Sequence, residues 1–258
     1  MVTSSLRKQI YDQFRDYKYW TYHFKFHNIY RGRKFHNNGD CKKIQGEIKH
    51  IRHMWCPPRS KAKKQRCNLK GQPLLYLSAS ISSIPFELRC KRGDYVSIVE
   101  YNSRIDLSPI VIIGWENLMA IEHIHIRKII KDHFINSTTQ IKEMDKKLSE
   151  LFVVKKEELD SDVVYDNSIA ITSNFFKKGN IGLIYPSIES ESTSFNLVLK
   201  PQYAKTTLRP RQIFIYEILE LYSVNRISVL PKSKGEIQKN GNIKWIDLFD
   251  SERLIIEK

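Results

Sequence analysis

Arg66-Cys67-Asn68-Leu69-Lys70-Gly71-Gln72-Pro73-Leu74-Leu75-Tyr76, running on through Ser82-Ser83-Ile84-Pro85 to Phe86-Glu87-Leu88-Arg89, combines strand, turn and helix-start signals in one segment. Leu74 to Ser78 reads as a short buried strand entered through a Gly-x-Pro turn. Ser82-Ser83 followed by Pro85 is a helix-start signal, because serine offers an acceptor to the unbonded N–H groups of a first turn and proline lacks the N–H that would be wasted there. Glu87 is therefore expected close to a helix N-terminus, where the macrodipole favours its anion by about 0.3–1 kcal/mol. Tyr95 to Tyr101 follows the Gly93-Asp94 turn and reads as the next strand, since Val96, Ile98 and Val99 are β-branched.

Working outward, residues 5 to 26 carry Leu6, Ile10, Tyr11, Phe14, Tyr17 and Trp20 at mostly three- and four-residue steps, which favours an amphipathic helix. Tyr30 to Lys34 is expected as a strand end bearing Arg31 and Arg33, followed by an Asn37-Asn38-Gly39-Asp40 turn and an extended loop marked by Pro57-Pro58. From Asn117 to Phe152 the pattern turns helical, with a Ser137-x-x-Gln140 capping box ahead of Ile141, Met144, Leu148 and Leu151. Ile181 to Tyr185 and Phe195 to Leu199 read as strands. Arg211 to Leu221 fits helix or strand equally, and Lys239-Asn240-Gly241 between Ile237 and Ile243 signals a terminal hairpin. The expected architecture is α/β of the α+β kind: one domain over 1–258 with a mixed sheet, a helical insertion at about 115–155 and a C-terminal extension at about 210–258.

The hydrophobic content of 41% supports a buried core. The first twenty residues mix charges with aromatics, and no run reaches the roughly 18 apolar residues of a membrane helix, so a soluble cytoplasmic protein is expected. Cys41, Cys56, Cys67 and Cys90 are expected as free thiols. His50, His53 and Cys56 lie close together, but no paired Cys-x-x-Cys knuckle accompanies them, and no metal is assigned. The net charge of +15 is uneven: ten Lys and Arg fall between Cys41 and Gly71, among them Lys61, Lys63, Lys64 and Arg66, against Glu47 alone. Such a loop suits a phosphorylated substrate, an acidic partner or, in a rival reading, a nucleic-acid backbone.

Glu87, Arg31 in Ile29-Tyr30-Arg31-Gly32-Arg33, and Ser187 in Gly182-Leu-Ile-Tyr185-Pro186-Ser187, with Asn196-Leu-Val-Leu beyond it, stand in the order found in the RES domain family, which the chain resembles. The resemblance is densest over 66–101, resumes at 181–200, and spans a long intervening stretch that compact members lack. It implies a fold like that of ADP-ribosyltransferases and an enzyme that consumes NAD as substrate, with no other cofactor, releasing nicotinamide to phosphate or water. It further implies a toxin restrained by an antitoxin that covers the cleft; a protein acceptor for ADP-ribose and assembly of several copies of the chain stay open beside it. Glu87, Arg31 and Ser187 take the catalytic positions. Tyr76, Arg66, Arg33 and Asn196 are the substrate-binding candidates, with Arg33 competing for the role of Arg31 and Ser190, Ser192 and Ser194 for that of Ser187. No Gly-x-Ser-x-Gly elbow surrounds Ser187, so it is no triad nucleophile, and no Gly-x-Gly-x-x-Gly follows a strand. His123 and His125 are expected as surface or packing residues.

Overall fold

The computed structural model describes residues 4–14, 19–36, 40–121, 123–153, 161–189, 194–223, 226–248 and 252–257. Its strands build one mixed sheet in the order β1 (Thr21–Phe24), β5 (Leu107–Ile112), β6 (Gly182–Pro186), β7 (Phe195–Leu199), β3 (Leu75–Ser78), β2 (Ile29–Phe35), β4 (Tyr95–Ser103), β8 (Leu208–Ser223), β9 (Arg226–Ile237) and β10 (Ile243–Asp247). A final strand, β11 (Leu254–Glu257), also pairs with β9. Neighbours are antiparallel except β5 and β6. The helices are α1 (Ser4–Phe14), α2 (Cys41–Glu47), α3 (Ile84–Glu87), α4 (Trp115–Leu118), α5 (Ile124–Asn136), α6 (Thr139–Phe152), α7 (Ser161–Lys177) and α8 (Pro201–Thr207).

Alternation along the strands divides the core by face. Val99, Tyr101, Ile213 and Ile215 point to one side and join Ile44, Ile48 and Met54. Val96, Ile98, Ile218 and Val229 point to the other, where Ile84 of α3 packs. At the far end of the sheet, Val111, Leu183 and Val198 are covered by Phe14 of α1, Leu148 and Phe152 of α6, and Ile171 and Phe175 of α7. No helix among the described residues is long and apolar enough to cross a membrane.

The strands expected at 74–78, 95–101, 181–185 and 195–199 are present, as is the terminal hairpin, in which Ile237 faces Ile243 across Gly241. Other expectations are corrected. The amphipathic helix is described over Ser4–Phe14, and Thr21–Phe24 is not part of it but a strand whose alternate residues are buried, paired with β5. The cap of α6 is Thr138, whose Oγ1 accepts from Ile141 N–H, while Ser137 donates to His133 O. A further helix, α7, stands between α6 and β6. Arg211 to Leu221 is strand: β8 lies along β4 from Leu208 to Glu217 and pairs with β9 on its other edge, with β10 beyond β9. The basic loop begins with α2, capped by Asp40; Asn37, Asn38 and Gly39 of the expected turn lie outside the described residues.

One irregularity in the strand pairing makes room for a cleft. β2 matches β4 over seven residues and β3 matches β7 over four, yet β2 and β3 meet only at Tyr30 and Ser78. The sheet opens between them.

Candidate functional site

A cleft of about 260 Å³ occupies that opening. Tyr30, Arg31 and Gly32 line it from β2, Tyr76 and Ser78 from β3, Glu87 and Leu88 from the α3 region, and Tyr185 and Asn196 from β6 and β7. Lys61, Lys63 and Asn68 of the basic loop form its rim.

The seat of α3 is Gly32. A Cβ there would stand 2.2 Å from Ile84 Cγ2 and 2.8 Å from Leu88 Cδ1, so only glycine lets the helix rest directly on β2. Ser83 occupies the N-cap position without capping; its hydroxyl lies 2.7 Å from Ser78 Oγ and donates to Ser80 O at 2.9 Å, tying the helix entry to β3. The exit is a Schellman turn, with Arg89 at φ 49° donating to Phe86 O and Cys90 N–H donating to Pro85 O. These contacts fix both ends of a four-residue helix.

Glu87 lies in the first turn of α3 as expected, but that turn is also the last, so the macrodipole has little length to act through. Hydrogen bonds hold the carboxylate instead. Ser187 Oγ donates to Glu87 Oε1 at 2.5 Å and Asn196 Nδ2 donates to the same oxygen at 2.8 Å. Oε2 accepts no hydrogen bond from the described residues. Hydrogen bonds to a carboxylate are roughly twice as strong as neutral ones, so the two donors fix the group in place and leave one oxygen for a ligand. Ser187 is fully buried, and its N–H bonds Ser194 O, which closes the connection between β6 and β7. Ser194 therefore braces Ser187; Ser190 and Ser192 lie outside the described residues.

Arg31 donates through Nη1 to Tyr76 O at 3.1 Å, bridging the gap between β2 and β3. Burial pulls its pKa down from the ordinary value, yet a guanidinium stays charged at neutral pH. Its remaining N–H donors make no hydrogen bond to the described residues. A part-buried cation with most of its donors unused is a site for an anion.

The ring of Tyr76 lines the cleft, but its hydroxyl is committed: it donates to Asn68 Oδ1 at 2.7 Å and accepts from Cys67 N–H at 3.0 Å. Tyr76 thus anchors the Arg66 to Gly71 turn and leaves its ring, not its hydroxyl, for contact in the cleft. Burial holds the hydroxyls of Tyr76 and Tyr185 well above the ordinary tyrosine pKa and pushes the Cys67 thiol up to about 12.

Two binding candidates are not in the cleft. Arg66 turns away toward the helices, donating to Phe152 O at 2.5 Å and lying over the Tyr165 ring, while Ser168 Oγ bonds its carbonyl. It staples the turn to α6 and α7. Arg33 pairs with Glu47 of α2 at 2.9 Å on the surface and covers Phe35. The basic loop is also partly neutralised, Lys42 by Asp247 and Lys64 by Asp166, whereas Lys61 and Lys63 stay exposed on the rim. Of the residues now seen at the site, Tyr30 and Ser78 carried no signal of their own in the sequence. His123 caps α5 and packs edge-on to Phe195; the side chain of His125 lies outside the description. Cys41 contacts Ser233 and Cys67 is buried beside Tyr76, and no group of three metal-ligating side chains occurs among the described residues.

No protein-family model matches the chain, and no curated protein matches it in sequence.

Proposed function

We propose that the chain is an NAD-consuming enzyme of RES type that breaks the bond between nicotinamide and ribose, with phosphate or water taking the ADP-ribose. The observation that carries the reading is the convergence of Glu87, Ser187 and Asn196 on one carboxylate oxygen, in the same cleft as Arg31 with its unused donors.

The chemistry needs little else. The nicotinamide ring nitrogen is cationic while bound to ribose and becomes neutral when it takes the bonding electron pair, so departure requires no general acid. The ribose left behind is an oxocarbenium-like cation. A preorganised anion beside it stabilises charge that exists only in the transition state, which is the part of the binding energy that raises the rate. Glu87 Oε2 supplies that anion, Ser187 and Asn196 hold it in place, Arg31 takes the pyrophosphate, and the Tyr76 ring flanks the base. Lys61 and Lys63 on the rim favour entry of a substrate with a dianionic pyrophosphate. The divided sheet suits the ADP-ribosyltransferase-like fold that the RES resemblance implies, and an antitoxin seated over the rim is part of the same proposal.

The test is incubation of the purified full chain with NAD, with and without phosphate, and identification of products by mass. Free nicotinamide with ADP-ribose phosphate, or with ADP-ribose alone, supports the proposal and names the acceptor. ADP-ribose attached to an added protein favours transfer, and unchanged NAD under every condition defeats the reading.

A further inference from the structure

Away from the cleft, the ends of β4 and β8 enclose an open groove of about 600 Å³ lined by Asn102, Ser103, Arg104, Arg209 and Arg211. The strand register explains the crowding. Asn102 faces Arg209, but Glu100 faces Gln212 and Tyr101 faces Pro210, so Arg211 is the extra residue of a β-bulge. Bulges re-aim side chains at the margins of sheets, and this one adds Arg211 to the groove. Arg104, Arg209 and Arg211 are all exposed, and none forms an ion pair with a described residue. Glu100, the carboxylate nearest in register, accepts a hydrogen bond from Gln212 at 2.8 Å; Asp106 is exposed two residues beyond Arg104. Phe26 and Ser103 exchange two hydrogen bonds, which brings the exposed Lys25 and His27 to the same margin.

Like charges left together cost repulsion, and no ion pair with a described residue offsets it here. We infer that this groove binds the phosphate backbone of a nucleic acid, without base specificity, as a second site independent of the NAD cleft. Each lining residue is polar. A small-molecule pocket is mostly apolar and encloses its ligand, and a protein partner needs an apolar centre to anchor on; this groove offers neither. Interfaces with nucleic acid are polar and strongly basic, and guanidinium groups meet phosphates in bidentate pairs. The basic loop, in contrast, has committed Lys42, Lys64 and Arg66 to internal contacts.

The experiment is fluorescence anisotropy of the full chain with short labelled duplex DNA and single-stranded RNA of mixed sequence, over a range of salt and without NAD. The variant is Arg104→Gln/Arg209→Gln/Arg211→Gln; the control, with the same loss of charge, is Lys128→Gln/Lys131→Gln/Lys147→Gln on α5 and α6. The parent is expected to bind at least one probe in the 10⁻⁴–10⁻⁶ M range of non-specific contacts at physiological salt. The arginine variant should weaken binding by about tenfold or more and flatten the logarithmic salt slope on duplex DNA by about 2–3, since each phosphate contact contributes about 0.9. The control should keep the parental slope, and both variants should melt as the parent does. Absence of binding by the parent, equal loss in both triple variants, or equally tight binding of polyglutamate overturns the inference. None of these readouts involves nicotinamide release, so the outcome is separate from that of the proposed activity.

Discussion

Gly32→Ala tests how Glu87 is positioned without touching the carboxylate or its partners. The added Cβ would lie 2.2 Å from Ile84 Cγ2, where ordinary contact begins near 3.4 Å. The branched Cγ2 methyl sits close to the helix backbone and cannot swing aside freely, so α3 must lift from β2 by about 1 Å, while the flexible end of Leu88 yields its smaller overlap. Overpacking of this kind costs about 1–3 kcal/mol in stability. The effect on catalysis is larger in proportion, because a misplacement of about 1 Å can cost about 10²-fold in rate. Turnover of NAD by Gly32→Ala should therefore fall about a hundredfold while a melting transition persists. Ile84→Ala in the same chain removes the clashing methyl and should recover much of the lost turnover, as a coupled pair does in a double-mutant cycle. Parental turnover in Gly32→Ala, or no recovery in the double variant, refutes the argument that Gly32 seats the helix and so aims Glu87.

Ser187→Ala and Asn196→Ala each remove one donor from Glu87 Oε1, a hydrogen bond to a charged group worth about 1.5–3 kcal/mol; each should lower turnover with little change in KM, and the double variant should lose less than the product of the two. Arg31→Ala should raise KM for NAD, whereas Arg33→Ala should leave it unchanged; Arg66→Ala should lower the melting temperature without altering KM, because Arg66 holds Phe152 O outside the cleft. Asp145 is buried beneath α4, where it accepts from Gly114 and Trp115 N–H, and burial raises its pKa from 3.8 to about 7. An acid with a raised folded-state pKa favours the native state most below its unfolded value and loses that contribution as pH climbs through about 7; the melting temperature should fall across that window, and Asp145→Asn should flatten the dependence.

The strands that frame the site were legible because each pairs β-branched or apolar residues with Gly, Pro or Asn punctuation. Thr21–Phe24 was not, since aromatic residues at short spacing fit the end of a helix as well as a strand, and only pairing with β5 decides. Pro109 argues against a ladder, yet β5 forms around it; the register with β1 passes from Leu107 to Ile110 and leaves Ser108 and Pro109 without partners there. Arg211 to Leu221 was undecided from periodicity and is settled by the long edge of β4. At the site, residue types and order marked Glu87, Ser187 and Asn196, but their meeting depends on β3–β7–β6 pairing, in which Asn196 faces both Ser78 and Tyr185. Arginines were the least legible. Their type says what they can bind and nothing of where they turn: the partner of Arg33 is Glu47, 14 residues on in α2, and that of Arg66 is Phe152 O, 86 residues on in α6.

The most direct test of the central claim compares nicotinamide release from NAD by the parent chain and by Glu87→Gln, with thermal melting of both. Glutamine keeps the shape of the side chain and removes the charge that the oxocarbenium-like sugar requires. Release by the parent, loss of it in Glu87→Gln by about a thousandfold, as for removal of one electrostatic stabiliser, and similar melting of the two proteins is the predicted result. Near-parental release by Glu87→Gln, or no release by the parent, contradicts the account.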